Sequence, residues 1–324
     1  MELGDGTDAP RSPIAPPPHA LRAIEAEGAA GRAWLEALPE AVARVERAWG
    51  LVVERAAGRS TESVVLLARR GERPVAVKMV LPWVDPERRE LRILRSAAGR
   101  GYAALIDAEE ASNILLLERL GGMLADAPIG ETARHAAICA ALRIAWAAPP
   151  PAGLPLPSGA EKARSLASEI VGLWEATGRP CPERTIEAAA RAAGRRAAAH
   201  DPGRAVLAHG DPHAWNTLSA PESPSGWKFV DPDGALAEPA FDLAVLLREW
   251  PAAVLRLDMA ALAGARCAEL CALAGLAPAP LWDWAILHSL QSGLRHARVG
   301  SRLAADIQIR MPAAWVESVR SLQA

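Results

Sequence analysis

The pattern of the chain changes at Leu120, and this change constrains the fold more than any other feature. Residues 51–118 contain several short β-rich segments, most of them separated by polar turns, which is typical of a small antiparallel sheet. The residues after Leu120 form Ala-, Leu- and Arg-rich segments with helical periodicity, broken by proline-rich stretches. We therefore expect an α+β protein with a small sheet-rich N-terminal lobe and a larger, mainly helical C-terminal lobe.

The N-terminal lobe is predicted to be an antiparallel sheet carrying one helix. The β-rich runs 63–68 and 74–80 flank a polar turn at 69–72, so they predict a hairpin. Further strands are predicted at 51–54, 103–107 and 113–118. The sequence Asp85-Pro86-Glu87 is typical of a helix start, and the glycines at 99–101 end that helix.

Proline-rich and strand-like segments set the expected domain boundaries. The proline cluster near the N-terminus predicts a disordered tail over residues 1–28, followed by an N-terminal lobe over 29–119. The C-terminal lobe is expected over 120–324, with short strands at 206–208, 216–218 and 227–231 among its helices.

Composition excludes several function classes. A formal charge of -2 gives no basic field for a nucleic-acid backbone, so we expect no nucleic-acid partner. The longest apolar stretches are too short to span a membrane. The 4 cysteines are too scattered for a disulfide scaffold, and the first residues do not resemble a secretory signal. These features together favour a cytoplasmic protein with reduced thiols.

Lysine is rare in this chain, which makes Lys78 conspicuous. Among 36 basic residues only Lys78, Lys162 and Lys228 are lysines, and the first lies within the apolar strand Val-Ala-Val-Lys-Met-Val. A compact ammonium there could serve phosphate oxygens, and Glu87 or Glu90 on the following helix could hold it in place. The strand alone is equally compatible with an edge-strand lysine that blocks aggregation.

A second polar cluster follows an apolar strand in the C-terminal lobe. It reads His-Gly-Asp-Pro-His-Ala-Trp-Asn from His209 to Asn216, and Asp231 ends the next strand-like run. Asp211 could accept a proton from a substrate hydroxyl, and carboxylate and amide oxygens suit a hard cation such as Mg²⁺. Phosphoryl transfer needs an oriented hydroxyl, metal ions and a cation, for which Lys78 is the candidate.

On these motifs the sequence resembles the aminoglycoside phosphotransferases of protein-kinase-like fold, most closely the streptomycin 6-phosphotransferases and related aminoglycoside/hydroxyurea resistance kinases. The resemblance covers nearly the whole chain after the tail. It rests on VAVK at 75–78, ERRELRIL from Glu87, LLLERL at 115–120, HGDPHAWN at 209–216 and FVDPDGALAEPAFDLAVLLREW at 229–250. It implies a two-lobed, ATP- and Mg²⁺-dependent kinase that phosphorylates an aminoglycoside or aminocyclitol hydroxyl and confers resistance.

The resemblance also implies roles for individual residues. Asp211 corresponds to the catalytic base, and Asn216 and Asp231 correspond to the Mg²⁺ ligands. Lys78 would hold the α/β-phosphates with Glu90 as its ion-pair partner, although Glu87 has the spacing seen more broadly in the family. The remaining implied nucleotide contacts are the backbone from Glu118 to Leu120 and the N–H groups near Ser60, where a GxGxxG motif is absent.

Further motif residues have implied or open roles. His209 is expected to be structural, and Asp242 is expected to anchor the catalytic loop from the next helix. Asp233 could assist the metal, although an Asp-Gly turn is favoured. Glu238 could meet a cationic substrate or cap a helix.

Two other functions compete with the kinase interpretation. A zinc-dependent hydrolase could use His209, Asp211 and His213 with Asp231 or Asp233, but it leaves Lys78 and the glutamate helix unexplained. An inactive pseudokinase is disfavoured because the expected catalytic, metal and phosphate residues are all present. Related kinases act on hydroxyurea, sugars or amino alcohols, so the acceptor stays open.

Overall fold

The structure of the protein is a computed structural model that describes residues 15–57, 60 and 62–321. These residues form two compact units. The described residues up to Leu91 and the segment Leu105–Arg119 make the first unit, and Arg92–Ala104 and the chain from Leu120 onwards make the second. The predicted boundary between 119 and 120 is therefore also a unit boundary, but residues 92–104 group with the second unit instead of the first.

The first unit begins with two helices that the sequence analysis did not predict. Helices α1 (Pro18–Ala26) and α2 (Ala29–Trp49) pack into the same apolar core as the sheet, and Ala20 and Ile24 are fully buried. The expectation of a disordered tail over 1–28 is therefore wrong for residues 18–26, while residues 1–14 lie outside the described residues. The proline cluster was misleading because Pro18 occupies the first helical position, where its fixed φ favours a helix.

The first unit contains a five-stranded antiparallel sheet. Its strands are β1 (Val52–Ala56), β2 (Ser63–Arg70) and β3 (Arg73–Val80), together with β4 (Leu105–Glu109) and β5 (Ile114–Glu118). They are hydrogen-bonded in the order β1-β2-β3-β5-β4, so β3 is the central strand. The predicted β2–β3 hairpin forms, with Arg70 paired to Arg73 across a turn at Gly71, whose φ is 58°.

Helix α3 (Arg89–Ala97) begins later than the sequence suggested. The Asp85 carboxylate accepts hydrogen bonds from the Arg89 N–H (2.8 Å) and the Glu90 N–H (3.1 Å), so it satisfies the first helical donors from four residues upstream. The start at Arg89 brings Glu90 into the first turn, and this position decides which glutamate can reach the sheet.

The second unit is mainly helical and contains two small antiparallel ribbons. Its elements in chain order are α4 (Glu131–Ala145), α5 (Gly159–Ala176), α6 (Glu183–Ala198), β6 (Val206–Ala208), β7 (Thr217–Ser219), β8 (Trp227–Phe229), β9 (Ala235–Ala237), α7 (Ala240–Leu243), α8 (Met259–Ala274), α9 (Pro278–Arg298) and α10 (Arg302–Ser321). Strand β6 pairs with β9, and β7 pairs with β8. Within the described part of the chain, no helix is long and apolar enough to cross a membrane.

Candidate active site

The polar loop at residues 209–216 connects β6 to β7, and His209 fixes its shape. The His209 side chain is fully buried; its Nδ1 accepts a hydrogen bond from the Asp211 N–H (3.1 Å), and its Nε2 donates to the Val230 carbonyl (2.9 Å). Tyr102 and Phe229 enclose the ring, with centroids 5.9 and 5.0 Å away. Both ring nitrogens are therefore used within the fold, which confirms the prediction that His209 is structural.

Asp242 anchors the same loop from α7, as predicted. Its fully buried carboxylate accepts hydrogen bonds from the N–H groups of His209 (2.9 Å) and Gly210 (2.8 Å) and from Trp146 Nε1 (2.8 Å). Burial raises the pKa of Asp242 above its usual range, and these three donors offset part of that cost. The backbone at residues 209–210 is thereby held by one carboxylate.

The Asp211 carboxylate lies at the surface of this loop between two donors. Arg248 Nη2 donates to Oδ1 (2.7 Å), and His213 Nε2 lies 3.2 Å from Oδ2. Burial alone would raise the pKa of Asp211, but the His213 hydrogen bond and the Arg248 charge outweigh it and hold this pKa well below its usual range. The sequence analysis missed Arg248, whose signal was a lone cation directly after the apolar run from Leu243 to Leu247.

Asn216 and Asp231 lie at the same end of the β7–β8 ribbon. Thr217 pairs with Phe229, and the Val230 N–H donates to the Asn216 carbonyl (3.0 Å), so the two candidate ligands flank one ladder. The Asn216 Nδ2 donates to the Asp211 carbonyl (3.1 Å), which joins the ribbon to the loop at residues 209–216. Asp231 has a φ of 59°, an uncommon backbone conformation for a non-glycine residue that is often found at functional sites.

The donor chemistry at this end of the ribbon fits Mg²⁺. Carboxylate and amide oxygens are ligands that hard cations prefer, and Mg²⁺ commonly takes one or two from the protein and the rest from water and phosphates. Burial, followed by the charges of Asp211 and Asp231, raises the pKa of Asp233. The Asp211 and Asp231 carboxylates therefore act electrostatically on Asp233, and a bound cation would reduce that repulsion.

Asp233 lies in irregular backbone between Asp231 and β9, so the Asp-Gly turn favoured by the sequence stays a prediction. The N–H groups of Asp233 and Gly234 both donate to the His209 carbonyl (2.9 and 3.1 Å), and Gly234 has a φ of 74°. These two hydrogen bonds tie the segment after Asp231 to the loop at residues 209–216.

In the first unit, Lys78 and Glu90 form a buried ion pair. Lys78 lies on β3 between Val65 of β2 and Leu115 of β5, and its Nζ is 2.7 and 2.6 Å from the two carboxylate oxygens of Glu90. Because β3 is the central strand, the edge-strand interpretation of Lys78 is wrong. Glu87 is exposed and bonds to Arg89, so the observed partner of Lys78 is Glu90.

The other predicted nucleotide contacts are Ser60, Glu118 and Leu120, and the structure gives only their local surroundings. Ser60 Oγ accepts a hydrogen bond from the Ser63 N–H (3.1 Å) and lies 2.6 Å from the Ser63 hydroxyl, while Gly58, Arg59 and Thr61 lie outside the described residues. Glu118 is the last residue of β5, and Leu120 follows in irregular backbone. Their roles in nucleotide binding stay predictions.

The geometry does not support a zinc centre. His209 has no ring nitrogen left for a metal, and no group of three or more His, Cys, Asp or Glu side chains among the described residues could hold one.

Glu238 has structural partners within the second unit. It accepts hydrogen bonds from Arg196 (3.2 Å) and Trp284 (2.9 Å), so neither substrate binding nor helix capping is needed to explain its position.

Two other acids of the second unit, Asp283 and Asp258, have structural partners. Asp283 is buried and paired with Arg195 and Arg196. Asp258 caps α8 by accepting from the Ala261 N–H (3.0 Å).

Three curated relatives have the same kind of activity in their names. A streptomycin 6-kinase of Streptomyces glaucescens is 28% identical over 288 residues, which cover 88% of this chain and 92% of the relative. A streptomycin 6-kinase of Streptomyces griseus is 31% identical over 229 residues, covering 69% of each. A hydroxyurea phosphotransferase of Kitasatospora aureofaciens is 33% identical over 222 residues, covering 67% of this chain and 62% of the relative.

A solved structure shares the fold. A thermostable mutant of aminoglycoside phosphotransferase APH(4)-Ia, in a ternary complex with ADP and hygromycin B, matches with a TM-score of 0.61 at 15% identity. The match covers 85% of this chain and 97% of that chain. The predicted α+β, two-lobed kinase-like fold is therefore confirmed, with α1 and α2 as additions to the single helix expected for the first lobe.

The model of the aminoglycoside/hydroxyurea antibiotic resistance kinases matches residues 49–300. Since this match spans most of its length, the chain belongs to that family of kinases and is a phosphotransferase with an alcohol group as acceptor.

Proposed function

We propose that the protein transfers the γ-phosphoryl group of ATP to a hydroxyl of a streptomycin-like aminocyclitol antibiotic and thereby inactivates it. The observation that carries the proposal is the arrangement of Asp211, Asn216 and Asp231 around one end of the β7–β8 ribbon. This arrangement supplies a carboxylate for the acceptor hydroxyl beside an oxygen donor set for a hard cation.

The acceptor assignment is supported by the relatives. Two streptomycin 6-kinases match, one of them over 88% of this chain. A hydroxyurea phosphotransferase matches at similar identity but over a shorter span, so hydroxyurea is the second candidate acceptor.

The residues suggest a division of labour in the reaction. Asp211 accepts a hydrogen bond from the acceptor hydroxyl and orients its oxygen toward the γ-phosphorus; the proton passes to Asp211 as the new O–P bond forms and the bond to ADP breaks. Because Arg248 and His213 lower the pKa of Asp211, this carboxylate is a weak base, which suits late proton transfer in a loose transition state. Lys78, held by Glu90, supplies positive charge for phosphate oxygens.

Asn216 and Asp231 would hold Mg²⁺, which when bound neutralises charge on the phosphate oxygens. ATP is an intracellular cosubstrate, and all four cysteines are free and buried, so we place the reaction in the cytoplasm.

The test is phosphoryl transfer from ATP to a panel of streptomycin, hydroxyurea and choline, with the product identified by mass spectrometry. Asp211→Asn should fold and bind Mg-ATP but lose on the order of 100-fold or more of turnover. Asp306→Asn, at an exposed position on α10, is the matched control and should keep wild-type turnover. Near-normal turnover of Asp211→Asn would overturn the role of Asp211, and transfer to hydroxyurea alone would overturn the streptomycin assignment.

A further inference from the structure

The Asp211 carboxylate is held by one donor on each oxygen. Arg248 Nη2 is 2.7 Å from Oδ1, and His213 Nε2 is 3.2 Å from Oδ2. His213 Nδ1 accepts from the Asn216 N–H (3.2 Å), which leaves Nε2 as the nitrogen that carries the proton and donates to Asp211. The two donors therefore fix the direction of the carboxylate plane.

The donors are less accessible than the carboxylate they hold. The Asp211 side chain is 31% exposed, whereas His213 is 16% and Arg248 is 15% exposed. A carboxylate has about four lone-pair sites, so two remain for an acceptor hydroxyl on the open side. If Arg248 occupied the place of a cationic substrate group, it would lie on the solvent-accessible side of the Asp211 carboxylate. Arg248 is instead less exposed than Asp211, so it contacts the carboxylate from the buried side.

Arg248 is fixed by the same segment that anchors the loop backbone. Asp242 binds the N–H groups of His209 and Gly210, and the buried residues 243–247 connect it to Arg248. The Arg248 N–H donates to the Val245 carbonyl (3.1 Å), which fixes the backbone from which the guanidinium projects. The segment from Asp242 to Arg248 therefore holds both the backbone at residues 209–210 and the side chain of Asp211.

We propose that Arg248 and His213 are positioning residues that hold the Asp211 carboxylate in the orientation needed to align the acceptor hydroxyl. This inference rests on the proposed function, in which Asp211 contacts that hydroxyl. Loss of either donor lets the carboxylate rotate about its side-chain bonds, and a misplacement of about 1 Å in such a geometry can cost on the order of 100-fold in rate.

The first test compares Arg248→Met and Arg248→Lys with Arg256→Met, a control at an exposed arginine nearby. Arg248→Met should lower kcat on the order of 100-fold while KM for ATP changes by less than about threefold. Arg248→Lys should recover part of kcat, because it restores the charge but not the planar fork. Wild-type kcat in Arg248→Met would overturn the proposal.

The dependence on Asp211 is tested by a double-mutant cycle. If Arg248 acts through Asp211, adding Arg248→Met to Asp211→Asn should lower kcat no further than Asp211→Asn alone. Additive losses would mean that Arg248 acts independently and would overturn the proposal. Low concentrations of guanidinium chloride should restore part of the turnover of Arg248→Ala but none of Asp211→Asn.

His213 offers a parallel test with a conservative replacement. Gln can place a side-chain N–H near the position of the imidazole Nε2, so His213→Gln should retain more kcat than His213→Ala. Equal losses in the two variants would exclude donation by His213 to Asp211.

Failure of the proposed function is recognised separately. If the wild-type protein phosphorylates no acceptor, the proposed function is wrong. The positioning of the Asp211 carboxylate by Arg248 is then tested by crystal structures of the wild type and of Arg248→Met. One Asp211 rotamer in the wild type and several in the variant would support positioning; an unchanged single rotamer would overturn it.

Discussion

Lys78 and Glu90 form a doubly hydrogen-bonded ion pair inside the first unit, although burial largely removes both side chains from water. Their side chains are only 8% and 9% exposed, and the Nζ–oxygen distances are 2.6 and 2.7 Å. Desolvation of two such charges is costly, and their mutual attraction offsets it only while both are present. The pair therefore holds the ammonium in place more than it stabilises the fold.

Glu90→Ala should be strongly destabilising because it removes the carboxylate beside a buried ammonium. We expect a loss of about 3 to 5 kcal/mol in the free energy of unfolding, measured by urea denaturation. Glu87→Ala is the matched control on the same segment, and we expect a change within about 0.5 kcal/mol because that side chain is exposed. Equal effects of the two substitutions would show that Glu90 does not hold Lys78 in solution.

Gly210→Ala should disturb the loop at residues 209–216, which carries the proposed base Asp211. Gly210 has a φ of 95°, and a Cβ atom there would lie 2.7 Å from Asp233 Cβ, so the segment after Asp231 would have to move. We expect reduced turnover together with a lower melting temperature. The control is Gly172→Ala within α5, where an added Cβ has no atom within 4 Å; it should stabilise the protein by about 0.5 to 1 kcal/mol. Wild-type turnover of Gly210→Ala would show that the close approach of residue 210 to Asp233 does not limit the reaction.

The sequence allowed the prediction of those parts of the site that lie in continuous motifs. The sequence predicted three polar residues of the candidate site because they lie in one loop and at the end of the next strand-like run: Asp211, Asn216 and Asp231. Lys78 could be found because a lysine in an apolar strand of an arginine-rich chain requires a specific partner. The choice between Glu87 and Glu90 was harder, since it depends on the residue at which α3 begins.

Arg248 could not be assigned from sequence in the same way. Its contact with Asp211 spans 37 positions and depends on how the segment after Asp242 packs against the loop at residues 209–216.

Helices α1 and α2 were missed for another reason. Proline clusters usually indicate disorder, yet here Pro18 begins one helix and Pro39 lies inside the other, and burial of their apolar faces offsets the lost hydrogen bond.

Asp242→Ala should cost more stability than a typical substitution. It leaves three donors without their acceptor, the N–H groups of His209 and Gly210 and Trp146 Nε1, in a fully buried site. We expect a loss of at least about 3 kcal/mol by urea denaturation, because each abandoned donor costs about 1 to 3 kcal/mol. Asp258→Ala removes only an exposed helix cap and should cost about 1 kcal/mol. A loss no larger than that of Asp258→Ala would show that the loop is anchored by other contacts.

His288 should make the protein less stable as the pH falls below about 6.5. Its ring is buried beside Phe241 and Trp284, and burial followed by the Arg248 charge lowers its pKa from 6.5 to about 3. The unfolded chain therefore binds a proton at pH 5 that the folded chain excludes, and each pH unit below the unfolded pKa costs about 1.4 kcal/mol.

The measurement compares wild type with His288→Phe, which keeps a flat ring and removes the titrating group. Between about pH 7.5 and about pH 5 the wild-type free energy of unfolding should fall by about 2 kcal/mol more than that of the variant. The difference between the two profiles isolates His288 because other groups, including His213 with its raised pKa and opposite effect, are common to both proteins. Parallel profiles would mean that His288 takes up a proton in the folded protein, so that the charged ring is tolerated beside Arg248.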